Sequence, residues 1–260
     1  MAKLSWQVFA TIRKEADRDN LLSEAATLGC KDHLTPLSCD ITQAEQVKAL
    51  AQTIAAATDR LDALLNNAGT AYAAPLELLA LDDLRAQFEI NVVAHVGITQ
   101  ALLPLLKVAR GTIINVSSVG GRIAAPVIGA YAASKFALEA ISDAWRIELA
   151  PFGVRVVVIE PAVTTTNLWK TSEARAMASL YQHRDGPYKS LLAGVEKTPI
   201  HPRPGSFPPQ LFADTVQKVL TSRRPHARYI IPGKFAWVIA LRQLLPDRLW
   251  DWQIRRMWRW

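Results

Sequence analysis

A chain of 260 residues, half of them apolar, can bury a sizeable core in one large α/β domain or two small ones, and no break in composition favours two. Its 30 Lys and Arg against 23 Asp and Glu give a formal net charge of +7, which suits an anionic cofactor, nucleic acid or membrane surface without choosing among them. The 2 cysteines, Cys30 and Cys39, and the 5 histidines stand in no metal-ligand or C-x-x-C spacing, which sets aside a structural metal and points to a reduced compartment.

At the N-terminus Lys3, Gln7 and Arg13 interrupt any signal-peptide pattern. No uninterrupted apolar run reaches the roughly 18 residues of a spanning helix. The expectation is a cytoplasmic protein whose membrane contact, if it has one, is peripheral. Short β-branched runs at 7–11, 34–37, 63–65, 112–116, 155–159 and 229–231 alternate with helical patterns over 42–57, 81–106, 131–150 and 209–221. That order predicts βαβ units and a parallel sheet covered on both faces. Thr42 with Glu45 reads as a capping box opening its helix, and Pro104 should bend the end of the next. The fold class expected is α/β, a Rossmann-like doubly wound parallel sheet in a single domain spanning 1–260.

Prolines gather at Pro187, Pro199, Pro202, Pro204, Pro208 and Pro209, so residues 168–208 read as a loop or lid over a substrate. Leu168, Trp169, Met177, Leu180 and Tyr181 there would offer apolar contact to a lipophilic substrate, or would simply be core under a loop. Residues 235–260 carry Trp237, Trp250, Trp252, Trp258 and Trp260 among Arg242, Arg248, Arg255, Arg256 and Arg259. Such a basic, Trp-rich segment reads as one amphipathic helix that could lie in a membrane interface, or pack on its own domain or on a second copy in a homo-oligomer. Charge alone supports nucleic-acid binding, with no motif behind it, and no nucleic-acid partner is expected.

Chemistry concentrates in Tyr131-Ala132-Ala133-Ser134-Lys135. On a helix, residues four apart share a face, and an ammonium beside a phenol favours the phenolate, which makes a plausible general acid/base. Ser118 lies thirteen residues earlier, where a β run passes into a Gly-rich loop. Strand ends of that kind face the ligand crevice of an open α/β sheet. Each feature alone is more often an exposed pair or a polar strand end.

Together, Asn67-Ala68-Gly69, Asn91, Ser118, Tyr131 and Lys135 resemble the short-chain dehydrogenase/reductase set, in order and at its spacings, over essentially the whole chain. The resemblance implies an NADP(H)-dependent oxidoreductase interconverting a secondary alcohol and a carbonyl. Tyr131 would exchange the proton, Ser118 orient the substrate oxygen, Lys135 lower the tyrosine pKa and bond the nicotinamide ribose, and Asn91 hold a water in the relay. Asn91 could instead bond its own helix backbone. Asp40 and Ile41 match the family's adenine-contacting pair. Pro161, Thr164 and Thr166 match the segment that embraces the nicotinamide and phosphates, with Ala162 where the family has glycine. Arg13, in a stretch similar to members preferring NADP, suits a 2′-phosphate, with NAD(H) the alternative.

The same resemblance implies an opening strand and a glycine-rich phosphate turn. The first glycine here is Gly29, so the chain reads as N-terminally truncated relative to the family. The rival reading of function is therefore a catalytically silent binding or regulatory homologue that has lost the cofactor.

Overall fold

Among the described residues six strands form the scaffold: β1 (Val8–Ile12), β2 (Leu34–Ser38), β3 (Ala63–Asn66), β4 (Thr112–Val116), β5 (Arg155–Pro161) and β6 (Arg228–Ile231). The computed structural model describes residues 1–163, 172, 174, 177, 178, 181–183, 185–191, 193 and 206–258. All pairings are parallel, β1 with β2, and β3, β4, β5 and β6 side by side in that order. Among the described residues β1 and β3 share no ladder, so the strands make two sheets.

The β-branched runs of β4 and β5 are buried almost end to end, as strands covered on both faces must be. Alternation assigns their side chains. Ile113 joins Leu50, Ile54, Leu102 and Leu106 in one core cluster, whereas its neighbour Ile114 joins Val157, Ile159, Val219 and Ile231 in another. The expected doubly wound α/β arrangement is thus present around this sheet.

Among the described residues the helices with defined bounds are α1 (Glu15–Thr27), α2 (Ala44–Ala57), α3 (Leu81–Phe88), α4 (Ala94–Ala109), α5 (Gly129–Glu148), α6 (Pro209–Thr221), α7 (Ala236–Leu244) and α8 (Asp247–Trp258). In α2, Val47, Leu50 and Ile54 fall on one buried stripe, the spacing of an amphipathic helix against a core. Three features depart from the sequence reading. Helix α1 was not anticipated, because only Ala25 of it is buried and it has no apolar stripe to announce it. The capping box is not made: α2 begins at Ala44, and Thr42 gives both its N–H and its hydroxyl to the Asp40 carboxylate, at 3.0 and 2.8 Å. A charged acceptor two residues away outcompetes a helix end. The tail is two helices rather than one, since Pro246 holds Leu245 extended at φ −79 and ψ 135.

Between α3 and α4 the chain makes a π-helical turn, Glu89–Val93, and then runs on through Pro104 to Ala109. By length and composition the run Leu81–Ala109 could cross a membrane. Its polar residues Gln87, Asn91, His95 and Thr99 are buried at 0–1% exposure and bond within the domain, which marks it as a core element here.

Candidate active site

At the carboxyl end of β4 the chain turns away from the sheet. Ser118 caps the next turn by accepting the Gly120 N–H at 3.0 Å, and its hydroxyl donates to the Pro161 carbonyl, at the end of β5, at 3.3 Å. Tyr131 stands in the first turn of α5 and Lys135 one turn on, both buried. The Ser118 hydroxyl hydrogen-bonds the Tyr131 phenol. Lys135 Nζ donates to the Val116 carbonyl at 2.8 Å and lies 5.9 Å from the centre of the Tyr131 ring.

Asn91 sits in the π turn. Its Oδ1 accepts the Thr70 N–H at 2.9 Å, while its Nδ2 donates to the Thr70 carbonyl and to Ser134 Oγ, both at 3.0 Å. The open alternative, a bond to its own helix, is not what it makes. One wide turn aims its amide at two other elements, a common use of π-bulges near functional sites. Below it, Asn66 Nδ2 donates to Thr99 Oγ1 at 2.9 Å and to Asn115 Oδ1 at 2.8 Å, and Asn115 Nδ2 reaches Ser142 Oγ at 2.8 Å. That buried chain of amides ties β3 and β4 to α4 and α5.

A cavity of about 340 Å³ brings together Asn67, Ala68, Gly69, Ser118, Tyr131, Lys135 and Pro161. Thr70 and, from α6, Phe212 also line it. Neither was singled out from sequence: Phe212 lies far along the chain, and Thr70 merely follows the Asn-Ala-Gly motif.

Electrostatically the site differs from the simple spacing argument. Burial pushes the Tyr131 phenol up to about 12, with the Ser118 hydrogen bond pulling the other way. Burial also brings Lys135 down to about 8, opposed by the Glu139 carboxylate. Desolvation of both groups therefore outweighs the expected lowering of the phenol by the ammonium. His95, behind the Asn-Ala-Gly segment with Nε2 at 2.8 Å from the Ala68 carbonyl, is brought to about 4 by burial and then by the Lys135 charge. It is neutral at pH 7.

Arg13, Asp40 and Ile41 are absent from the cavity wall. They follow the carboxyl ends of β1 and β2, in the separate sheet. The Asp40 carboxyl is held below its ordinary range by the Thr42 N–H and hydroxyl, and the Arg13 guanidinium acts in the same direction. Ile41 packs, partly buried, on the core. Thr164 and Thr166 lie outside the described residues, as do Leu168, Trp169 and Leu180. Ala162 does not adopt a positive φ, so the glycine it replaces relative to the family is not required by the backbone here.

Sequence reasoning also passed over Glu160. It is fully buried, paired with Arg122 Nη1 and Arg228 Nε at 3.2 Å each. A lone acid inside the apolar run of β5 was the available signal, because a buried carboxylate demands partners.

Comparison with known proteins places the chain among relatives of one kind. The sequence profile of the short chain dehydrogenase family matches residues 1–176. The chain is 32% identical over 254 residues to the uncharacterized oxidoreductase YusZ of Bacillus subtilis, covering 95% of this chain and 88% of that protein. It is 35% identical over 196 residues to the NADPH-dependent 3-dehydrocapnine reductase of Ornithobacterium rhinotracheale, covering 74% and 68% respectively. The crystal structure of a short chain dehydrogenase/reductase from Burkholderia phymatum in complex with NAD superposes with a TM-score of 0.78 at 21% identity, over 93% of this chain and 85% of that one.

Proposed function

This chain belongs to the short-chain dehydrogenase/reductase family of NAD(P)-dependent oxidoreductases, and from that premise we propose that it interconverts a carbonyl and a secondary alcohol on a lipophilic small molecule, with NADP(H) preferred. The observation that carries this reading is the meeting of Ser118, Tyr131 and Lys135 on one small cavity. Protonated at neutral pH, the Tyr131 phenol can donate to a carbonyl oxygen as a general acid. Ser118 Oγ, bonded to that phenol, orients the same oxygen. Lys135, charged below about 8, stabilises the phenolate left behind. Asn91 fixes the Thr70 backbone to α5 and so holds the proton relay in register.

Bound NADP(H) supplies the hydride. The residues present fit its nicotinamide end: even a Cβ at Gly69 would come no nearer than 3.9 Å to Lys135 Nζ, leaving Lys135 open to a ribose hydroxyl, with Asn67 to Gly69 and Pro161 alongside. Asp40 and Ile41 would meet the adenine, and Thr164 and Thr166 the carboxamide and phosphates. Arg13 after β1, with no acid at the end of that strand, supports NADP(H) over NAD(H).

A lipophilic substrate is supported by the wall beside Tyr131. Ile128 packs both on Tyr131 and on a cluster of Val127, Leu191, Met177 and Tyr188, and Met177 to Leu191 fall inside the lid read over 168–208. On α7, exposed Trp237, Ala240, Leu241 and Leu244 repeat at the spacing of one helix face. With the arginines of α8 they support a cytoplasmic enzyme touching an anionic membrane peripherally, a second copy of the chain being the other occupant of that face. Flotation on anionic vesicles that is unchanged by serine at Trp237 and Leu244 would refute the membrane contact.

The test of the main reading is calorimetry and turnover on this chain. NADPH should bind more tightly than NADH, and Tyr131→Phe should lose about 100- to 10,000-fold in carbonyl reduction with its melting curve intact. Retained turnover in Tyr131→Phe sinks the mechanism. A folded chain that binds neither cofactor points to the catalytically silent homologue instead.

A further inference from the structure

Behind the active site lies a buried charge cluster that the proton chemistry above does not use. Glu139 follows Lys135 by one turn of α5, and both are buried, at 6% and 4% exposure. Arg228 of β6 meets Glu139 Oε2 at 3.1 Å, Asp143 Oδ1 at 2.7 Å and Glu160 Oε1 at 3.2 Å. Arg122, on the segment after Ser118, completes the cluster through Glu160. Among the described residues Glu139 Oε1, Glu160 Oε2 and Ser117 Oγ are buried without a hydrogen-bond partner. Packing is tight around Gly121, where a Cβ would meet Ser117 Oγ at 2.6 Å, the Lys135 carbonyl at 3.2 Å and Glu139 Cγ at 3.3 Å.

A buried ammonium is costly unless an opposite charge is near. Lys135 Nζ is bonded to the neutral Val116 carbonyl. The acid one turn on along the same buried face of α5 is Glu139, whose carboxylate keeps one oxygen unbonded while Arg228 divides its guanidinium among three acids. We propose that Glu139 is a positioning residue for the reaction: held by Arg228 and packed under the Ser117–Gly121 turn, it keeps Lys135 charged so that the phenolate of Tyr131 has a cation to face. Arg228 moderates it, drawn partly away by Asp143 and Glu160, and Arg122 ties that balance to the segment carrying Ser118. The charged groups facing Glu139 are then Lys135 and Asp143 from α5, Glu160 from β5, Arg228 from β6 and, through Glu160, Arg122. This inference rests on the reading of Tyr131 and Lys135 as the proton-handling pair.

The test reads Lys135 directly, by NMR titration of lysine-labelled protein without cofactor or substrate, its signal assigned by loss in Lys135→Met. Wild-type protein should titrate near 8. In Glu139→Gln the midpoint should fall by about one pH unit, because the stabilising charge is gone. Glu139→Asp should recover most of that fall. Arg228→Gln should move the midpoint the opposite way, a pair of opposed signs that a merely structural role would not produce. A Glu139→Gln midpoint equal to wild type overturns the proposal. Should that variant fail to fold, an Arg228→Gln midpoint that falls or stays put overturns it equally. Since the titration needs no turnover, its failure leaves carbonyl reduction standing, and retained turnover in Tyr131→Phe is recognised separately.

Discussion

The sheet of β3 to β6 and the pair β1–β2 are assembled from the same kind of βα unit, yet they are held very differently. Four of five residues in β4 and six of seven in β5 are buried, against one of five in each of β1 and β2. Layers of helix cover both faces of the larger sheet, while α1 brings only Ala25 to bury against the smaller. Ser118, Tyr131, Lys135 and Asn91 belong to the well-packed part. Arg13, Asp40 and Ile41 belong to the other. On the proposed function, the proton chemistry and the grip on the far end of a cofactor would fall to regions of unequal packing, a common division in which binding elements are drawn from the less stable end.

Truncation of core side chains gives the largest contrast between them. Ile114→Ala in β4, a fully buried residue, should lower stability by about 2–5 kcal/mol, whereas Phe9→Ala in β1, only partly buried, should cost about 1 kcal/mol. Urea denaturation of the two variants checks this. Equal losses would mean that both sheets unfold as one equally packed unit, and the comparison would break.

A smaller effect comes from Glu160, within the larger sheet. Burial first, and the Glu139 charge second, raise its carboxyl from 4.5 to about 6, against the pull of Arg122 and Arg228. A folded-state value above the unfolded one means the folded protein holds this proton more tightly. Its contribution to stability is therefore fully present below pH 4.5 and lost as pH rises through about 6. Glu160→Gln should remove that slope, flattening the stability profile over this window by about 1–2 kcal/mol. Thermal unfolding across the window is the measurement, and an unchanged slope would assign the titration to another group.

The difference between the regions also governs what was legible from sequence. Continuous β-branched runs made β4 and β5 readable, and the four-residue spacing of Tyr131 and Lys135 put them on one helical face. The strand end marked Ser118 and family resemblance supplied Asn91; the structure brings Ser118 onto one cavity with Tyr131 and Lys135, and ties Asn91 to the same helix through Ser134. What escaped depended on tertiary partners. Helix α1 has no apolar period to detect. The π turn at Asn91 leaves no local mark, being stabilised by Thr70 and Ser134 from elsewhere in the chain. Thr42 looked like a cap and became a donor to Asp40. The direction of the Tyr131 shift was misread because helical spacing reveals a neighbouring charge and says nothing about burial. Pro246, by contrast, was an available stop signal for the tail helix that the amphipathic pattern overshadowed.

Arg13 offers the smallest change in stability and the sharpest test of the division. Exposed after the end of β1, it acts on Asp40 through its charge, and interactions between exposed charges are worth little. Arg13→Ala should therefore shift the unfolding free energy by less than about 0.5 kcal/mol. If Arg13 meets the 2′-phosphate, the same substitution should weaken NADPH binding by roughly tenfold, the scale of one lost charge-assisted hydrogen bond, and leave NADH unaffected. Calorimetry with both nucleotides separates the outcomes. An equal loss for both would make Arg13 a general attractor of anions, and no loss for either would remove the β1–β2 pair from cofactor selection. Selective loss with unchanged stability would show that the weakly packed sheet chooses the cofactor without helping to hold the fold together.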